Sequence, residues 1–256
     1  MRVGLISDIH GNRLALDAVI ADLERDGVDR IVCLGDVAVG PQPAEALDRV
    51  RELGCPVVMG NWDAAFLGDM PQAKDEVGRK LVEIGEWWAG FLTPENRAFI
   101  ESFQPRLELQ LDGHAAVCFH GSPHSYDDWI FATTSDEELK AMLDGFELPV
   151  LLGGHTHLQM IRRWDESVIV NPGSVGLPFR EWWPRPVRIS PWAEYGIVGG
   201  EDGRLSLDLR RTTYDVDAFL EMSLESGMPH AEWWANCWVR EDLPAGSSEA
   251  ESASGA

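Results

Sequence analysis

The sequence predicts an α/β fold whose sheets mix parallel and antiparallel strands, and three observations carry that prediction. Short apolar runs of strand length, RVGLIS, RIVCLG and PVVMG, alternate with amphipathic segments through the first part of the chain. Two turn signals, Asp112-Gly113 and Glu201-Asp202-Gly203, each join neighbouring strand-like runs into a hairpin. A chain of 256 residues with 45% hydrophobic residues can bury a substantial core in one domain.

The elements follow in order. RVGLIS is a strand, and Leu14, Leu16, Val19, Ile20 and Leu23 recur at helical spacing from about Arg13 to Asp26, with Gly27 as a C-terminal cap. RIVCLG is a second strand, Pro43 to Gly54 a second helix and PVVMG a third strand. Two helices are expected between Asp75 and Phe103, the second opened by Thr93, Pro94 and Glu95. Arg106 to Leu111 and Ala115 to Phe119 read as an antiparallel pair, and Ser135 with Glu138 as a capping box that opens a helix ending near Gly145. PVLLGG and SVIVNPG are two more strands, and Tyr195 to Val198 with Leu205 to Leu209 form the closing hairpin. A helix from Tyr214 to Ser226 and a short aromatic helix in GMPHAEWWANCW end the predicted domain, residues 1–243. The acidic tail 244–256 lacks the composition to order itself.

With 43 acidic against 21 basic residues the net charge is −22, so sequence-independent binding to nucleic acid or anionic membrane is not expected. No apolar run approaches the ~20 residues of a membrane span, and the N-terminus lacks the pattern of a signal peptide. Cys33, Cys55, Cys118 and Cys237 stand singly, as buried reduced thiols do. A soluble, cytoplasmic protein is expected.

The polar residues that interrupt this pattern lie just past strand ends: Asp8 and His10, Asp36, Asn61, His120, His155 and His157. Ligands of open α/β sheets bind beyond the carboxyl ends of strands, so these positions converge on one rim. Residues i and i+2 of an extended segment point the same way, which lets Asp8 with His10, and His155 with His157, straddle two cations ~3.5–4 Å apart. The two oxygens of Asp36 can bridge them.

SDIHGN, CLGD, GNWD, FHGS and GGHTH, in this order, resemble the signature set of the calcineurin-like metallophosphoesterases over roughly residues 1 to 211. NPGSVGLP and LRRTTYDVDAFL are similar to the small bacterial phosphodiesterase branch of that family, the YfcE type. The resemblance implies a four-layer αββα sandwich of two mixed sheets with outer helices, and two divalent transition-metal ions at one edge. By motif, Asp8, His10 and His157 hold the first metal and Asn61, His120 and His155 the second, with Asp36 bridging. Asp36, Asn61 and Asp63, the acid that closes GNWD, are the implied catalytic residues. Hydrolysis of a small phosphoester by a metal-bridging hydroxide follows as the expected activity. Four imidazoles with oxygen donors and no thiolate favour Mn, with Fe, Zn, Co or Ni also suited, over Mg or Ca.

One position departs from the family pattern. Where many members read GNH, this chain has Trp62, whose indole N–H cannot serve as a general acid near pH 7. That favours a phosphodiester, a nucleotide or a related anhydride over a poor monoester leaving group. The alternative is a non-catalytic or weakly active metal-binding scaffold on the same fold, which retention of all seven ligand positions argues against.

Three residues are candidates for substrate contact. Asn12 either touches phosphate or caps the following helix, Arg180 either reaches an anionic substrate or is a solvated surface residue, and Trp62 can stack a base or an aryl group. His114, His124 and His230 read as ordinary structural or surface histidines. Eleven Trp residues, paired at Trp87-Trp88, Trp182-Trp183 and Trp233-Trp234, are the most unusual feature of composition. Most belong in the core, and the Trp182-Trp183 loop is a candidate substrate wall or homo-oligomer contact.

Overall fold

The computed structural model describes residues 1–182 and 185–239. Its elements in chain order are β1 (Arg2–Ile6), α1 (Arg13–Asp26), β2 (Arg30–Cys33), α2 (Pro43–Leu53), α3 (Asn61–Leu67), α4 (Glu76–Ala89), α5 (Pro94–Glu101), β3 (Leu107–Leu111) and β4 (His114–Cys118). There follow α6 (Asp136–Met142), β5 (Val150–Leu152), β6 (Met160–Trp164), β7 (Ser167–Asn171), β8 (Phe179–Glu181), β9 (Arg188–Ile189), β10 (Ala193–Glu201), β11 (Arg204–Thr212), α7 (Val216–Glu225) and α8 (Ala231–Ala235).

One sheet has the order β11-β10-β1-β2, a second β3-β4-β5-β7-β6, and β8 pairs with β9. Both large sheets are mixed: β1 runs parallel to β2 and antiparallel to β10, while β4, β5 and β7 are parallel between antiparallel edges β3 and β6. Side chains alternate across each strand, and this period of two builds the layers. Val3, Leu5, Val32 and Leu34 meet Ala116, Cys118, Val150 and Leu152 in a core between the sheets. Ile6 and Cys33 face the other way, onto the core shared with α1 and α2, while Val117, Leu151 and Ile169 pack with Leu139 of α6. The result is the expected αββα sandwich.

Local chemistry explains the boundaries that were foreseen. Asn12 Oδ1 accepts the Ala15 N–H at the start of α1, and Gly27 ends it at φ 63°. Ser135 and Glu138 form the reciprocal capping box of α6. Asp112 and Gly113 (φ 51° and 89°), and Asp202 and Gly203 (51° and 72°), make the two-residue hairpin turns. Other elements differ. PVVMG forms only single bridges, Cys33 to Val57 and Val58 to Gln104, rather than a third strand, because its backbone bonds are shared between two neighbours. Asn61 therefore opens helix α3 instead of closing a strand. β6, an unforeseen edge strand, hides in MIRRW because Arg162 spends its guanidinium on the carbonyls of Phe131 and Thr134. The acidic tail expected at 244–256 and Trp183 of the paired Trp loop lie outside the described residues. The four cysteines are unpaired, and Cys33, Cys118 and Cys237 are buried. Among the described residues, no helix is long and apolar enough to cross a membrane.

Candidate metal centre

Asp8 and His10 follow β1, Asp36 follows β2, His120 follows β4, and His155 and His157 follow β5, all at carboxyl ends of parallel strands. Extended spacing is not what aims the paired residues. Asp8, His10, Asp36, His155 and His157 have φ of 54°, 49°, 54°, 67° and 57°, in the left-handed region that costs an L residue roughly 1–2 kcal/mol. Tight loop hydrogen bonds hold them there: the Asp8 N–H donates to Gly35 O at 2.9 Å, His10 to Asp36 O at 3.1 Å and Gly11 to Val37 O at 2.9 Å. The motif glycines leave room for this. A Cβ on Gly60 would stand 2.2 Å from Asp36 Oδ1, and one on Gly154 2.1 Å from Ser7 Oγ.

The side chains meet in two adjoining groups. Asp8, His10 and His157 form one and Asp36, His120 and His155 the other, with ligand atoms inside each group within 4.8 Å of one another. Asn61 joins the second, its Oδ1 lying 3.1 Å from His120 Nε2. Asp36 Oδ2 stands between the groups, 3.8 Å from His10 Nε2 and 3.5 Å from His120 Nε2. Its other oxygen accepts the Trp62 N–H at 2.9 Å, so one oxygen of Asp36 rather than two faces both groups. The imidazoles are oriented from behind. Nδ1 of His10, His120 and His157 bonds Val39 O, Leu34 O and Leu177 O at 3.3, 2.7 and 2.8 Å, which turns each Nε2 inward.

This donor set suits divalent transition metals, and the polar atoms around it favour that fit. Asp8 Oδ1 and His155 Nε2 are buried without a hydrogen-bond partner, a costly state that a cation would relieve. Burial opposes ionisation of Asp8 and Asp36, yet the imidazoles of His157 and His120 hold both carboxyls below the ordinary range. Burial pushes His10 and His155 down, to about 4 and about 3, leaving neutral rings, with His155 Nε2 unpartnered and His10 Nε2 facing His157 Nε2 at 3.1 Å. Burial works against charge on His120 too, but Asp36 and Asp8 push it up to about 10. The two carboxylates draw positive charge into the site.

The remaining candidates divide. Asp63, expected among the catalytic residues, is fully buried and bonds only backbone: Oδ2 accepts the N–H of Asp36 at 2.8 Å and of Gly60 at 3.1 Å, and Oδ1 that of Val37 at 3.1 Å. Burial and the nearby Asp36 carboxylate push its carboxyl up to about 7 against the pull of those N–H donors. Asp63 holds the Asp36 loop and does not face the ligand groups. Asn12 bonds the Ala15 N–H, Gly176 O and the Tyr214 hydroxyl, and so caps α1. Arg180 lines a hollow other than the one at the ligand groups, together with Glu181 and Arg188. Trp62 stays at the site, its indole lying against Gly85 of α4, where a Cβ would come 2.9 Å from Trp62 Cζ3.

Sequence reasoning assigned no role to the residues that brace the centre. Ser7 Oγ donates to Asp8 Oδ2 at 2.6 Å, Ser174 Oγ to Asp8 O at 2.7 Å, and Asn171 Nδ2 to Gly154 O at 2.6 Å. NPGSVG, directly after a strand, was the signal for the last two. Nor did it foresee the cavity of about 260 Å³ that opens from His10, Asp36, Asn61, His155 and His157 onto an apolar wall. Phe179 stacks on His157 at 4.4 Å, and Trp129 meets His155 edge-on at 4.7 Å. His124 lies on the surface, bonded to Asp144 O, and His230 pairs with Glu83 of α4, as structural histidines do.

Residues 1–184 match the family model of the calcineurin-like phosphoesterase superfamily domain, and the chain belongs to that superfamily. It is 26% identical to an uncharacterized protein of Methanocaldococcus jannaschii, over 90% of this chain and 94% of that one. It is 28% identical to a probable metallophosphoesterase of Methanothermobacter thermautotrophicus, over 70% and 79%. Among solved structures, a metallophosphoesterase from Sphaerobacter thermophilus superposes with a TM-score of 0.71 at 28% identity, covering 90% of this chain and 96% of that one. A hypothetical protein from Pyrococcus horikoshii shares the fold, with a TM-score of 0.74 at 20% identity over 91% and 97%.

Proposed function

We propose that this metal-dependent phosphoesterase binds two divalent ions, with manganese the most active, and cleaves phosphodiesters in preference to monoesters. The observation that carries this reading is the pair of abutting Asp/His groups sharing Asp36 Oδ2 at the floor of a cavity. Asp8, His10 and His157 would hold one ion and Asn61, His120 and His155 the other. Bound there, the ions supply Lewis acidity: they neutralise phosphoryl oxygens and lower the pKa of water toward neutrality.

The chain's own residues do the rest. The carbonyls of Val39, Leu34 and Leu177 fix the tautomers that present Nε2 inward. Trp129, Phe179 and Trp62 exclude water from one side of the cavity. Among the described residues lining that cavity, none outside the proposed ligands is an Asp, Glu, His, Lys or Tyr that could protonate a leaving oxygen. Such protonation is typically worth ~10²–10⁴-fold, and its loss weighs most on poor leaving groups. The domain is taken to run through residue 243, and the four unpaired thiols support a reducing, cytoplasmic location.

The test is hydrolysis of bis-p-nitrophenyl phosphate against p-nitrophenyl phosphate, metal-stripped and then with manganese, beside Asp36→Ala. Manganese-dependent, diester-selective turnover lost in Asp36→Ala is expected. Monoester turnover equal to or above that of the diester overturns the preference, and metal-dependent turnover in Asp36→Ala overturns the two-ion site.

A further inference from the structure

The cavity is not shaped for a nucleotide. Apart from its proposed metal ligands, the described residues that line it are Trp, Phe, Val, Leu, Ile and Cys, with no Lys or Arg. Val77 and Leu81, one helical turn apart on α4, form one side, and Trp233 and Trp234 of α8 another. These two elements are tied together beside the cavity: His230 pairs with Glu83, and Lys80 Nζ lies 5.0 Å from the Trp233 ring centroid. Lys80 also pairs with Glu76 at 3.2 Å, so that ammonium is engaged by the protein itself.

Size and polarity then select the guest. About 150 Å³ of apolar cavity already holds a benzene ring, and the volume here is about 260 Å³ with the ligand groups at its floor. Trp234 is 3% exposed and its buried indole N–H has no acceptor among the described residues. That donor is itself buried, so it offers a guest no polar contact. The several donors and acceptors of a ribose and a base would lose water and find no partners.

We infer that one ester group of the substrate is an uncharged, largely apolar alcohol or phenol about the size of one or two rings, seated between Trp62, Val77, Leu81, Phe179 and Trp233–Trp234. The inference rests on the phosphoesterase reading for the phosphoryl end alone; the apolar wall is independent of it.

Phosphonates with a single organic group separate the two, because they bind without being cleaved. Calorimetry on the manganese-loaded protein should find (1-naphthylmethyl)phosphonate at least about tenfold tighter than methylphosphonate, as burial of a ring predicts. It should also be tighter than an adenosine 5′-phosphonate. Leu81→Asp should abolish the preference. Val77→Asp, at a residue already 37% exposed, should reduce it in a chain that still folds. Equal or undetectable binding of the naphthyl and methyl compounds, or tighter binding of the nucleoside compound, overturns the inference. A naphthyl preference without turnover of any phosphoester would sink the hydrolase reading and leave the apolar site standing; turnover without the preference would do the reverse.

Discussion

Asp63→Asn tests whether this carboxylate builds the centre from behind. In the native chain its two oxygens accept three buried N–H bonds, from Asp36, Gly60 and Val37. An amide has one acceptor oxygen, so if it takes the place of Oδ2 the Val37 N–H faces an NH₂ donor. One orphaned buried donor costs about 1–3 kcal/mol, and the two surviving bonds lose charge assistance worth about 1 kcal/mol each. A neutral amide also escapes the burial and the Asp36 repulsion that push the native carboxyl up to about 7, which offsets part of this, so the expected loss is about 1–3 kcal/mol, still a sizeable share of the 5–15 kcal/mol typical of a folded domain. The Asp36 loop carries the oxygen that faces both ligand groups, so metal affinity should also fall, by about 10–100-fold as for other residues that orient ligands. Urea denaturation of the metal-free protein reads the first effect, and calorimetric manganese titration of the folded variant the second. A stability change below about 0.5 kcal/mol, the scatter of ordinary surface substitutions, with unchanged metal affinity would refute this account of Asp63.

Asn12→Ala should lose about 0.5–2 kcal/mol through the missing cap of α1 while KM for the diester stays unchanged; a raised KM in thermally intact protein would return Asn12 to the substrate site. Arg180→Ala should leave kcat and KM as they are, since it lines a hollow other than the one at the metal centre, and steady-state kinetics would expose the opposite. Trp62→His should raise turnover of a monoester with a poor alkoxide leaving group, such as glycerol 2-phosphate, relative to p-nitrophenyl phosphate, by supplying the missing proton donor; an unchanged ratio would refute the reasoning from Trp62. Removing metal should lower the melting temperature, and manganese at a hundred times its Kd should restore about 2.7 kcal/mol. No manganese-induced shift in the melting curve would argue against a buried site in this protein.

Where the chain states a local rule, the fold was legible. Asn12, Thr93, Pro94, Ser135 and Glu138 mark helix starts that the structure keeps, because caps act within one turn. The Asp-Gly turns set their hairpins for the same reason. β6 was not legible, because whether MIRRW forms an edge strand depends on Arg162 finding the distant carbonyls of Phe131 and Thr134. PVVMG carried the strand pattern, but its partners Cys33 and Gln104 are 71 residues apart, and together they leave it only bridges.

The candidate site divides along the same line. Asp and His just past strand ends named six of the seven polar residues that converge, since parallel strands present those ends on one side, and the GNWD motif named Asn61, which opens α3. Only the tertiary structure decided that left-handed backbone aims five of them, that one oxygen of Asp36 is already committed to Trp62, and that Asp63 and Asn12 are spent on backbone and caps. It alone assembled the apolar wall as well, because Val77, Phe179 and Trp233 share no motif and no proximity in sequence. What a polar side chain does depends on which partners reach it first, and those partners come from segments that a linear reading cannot bring together.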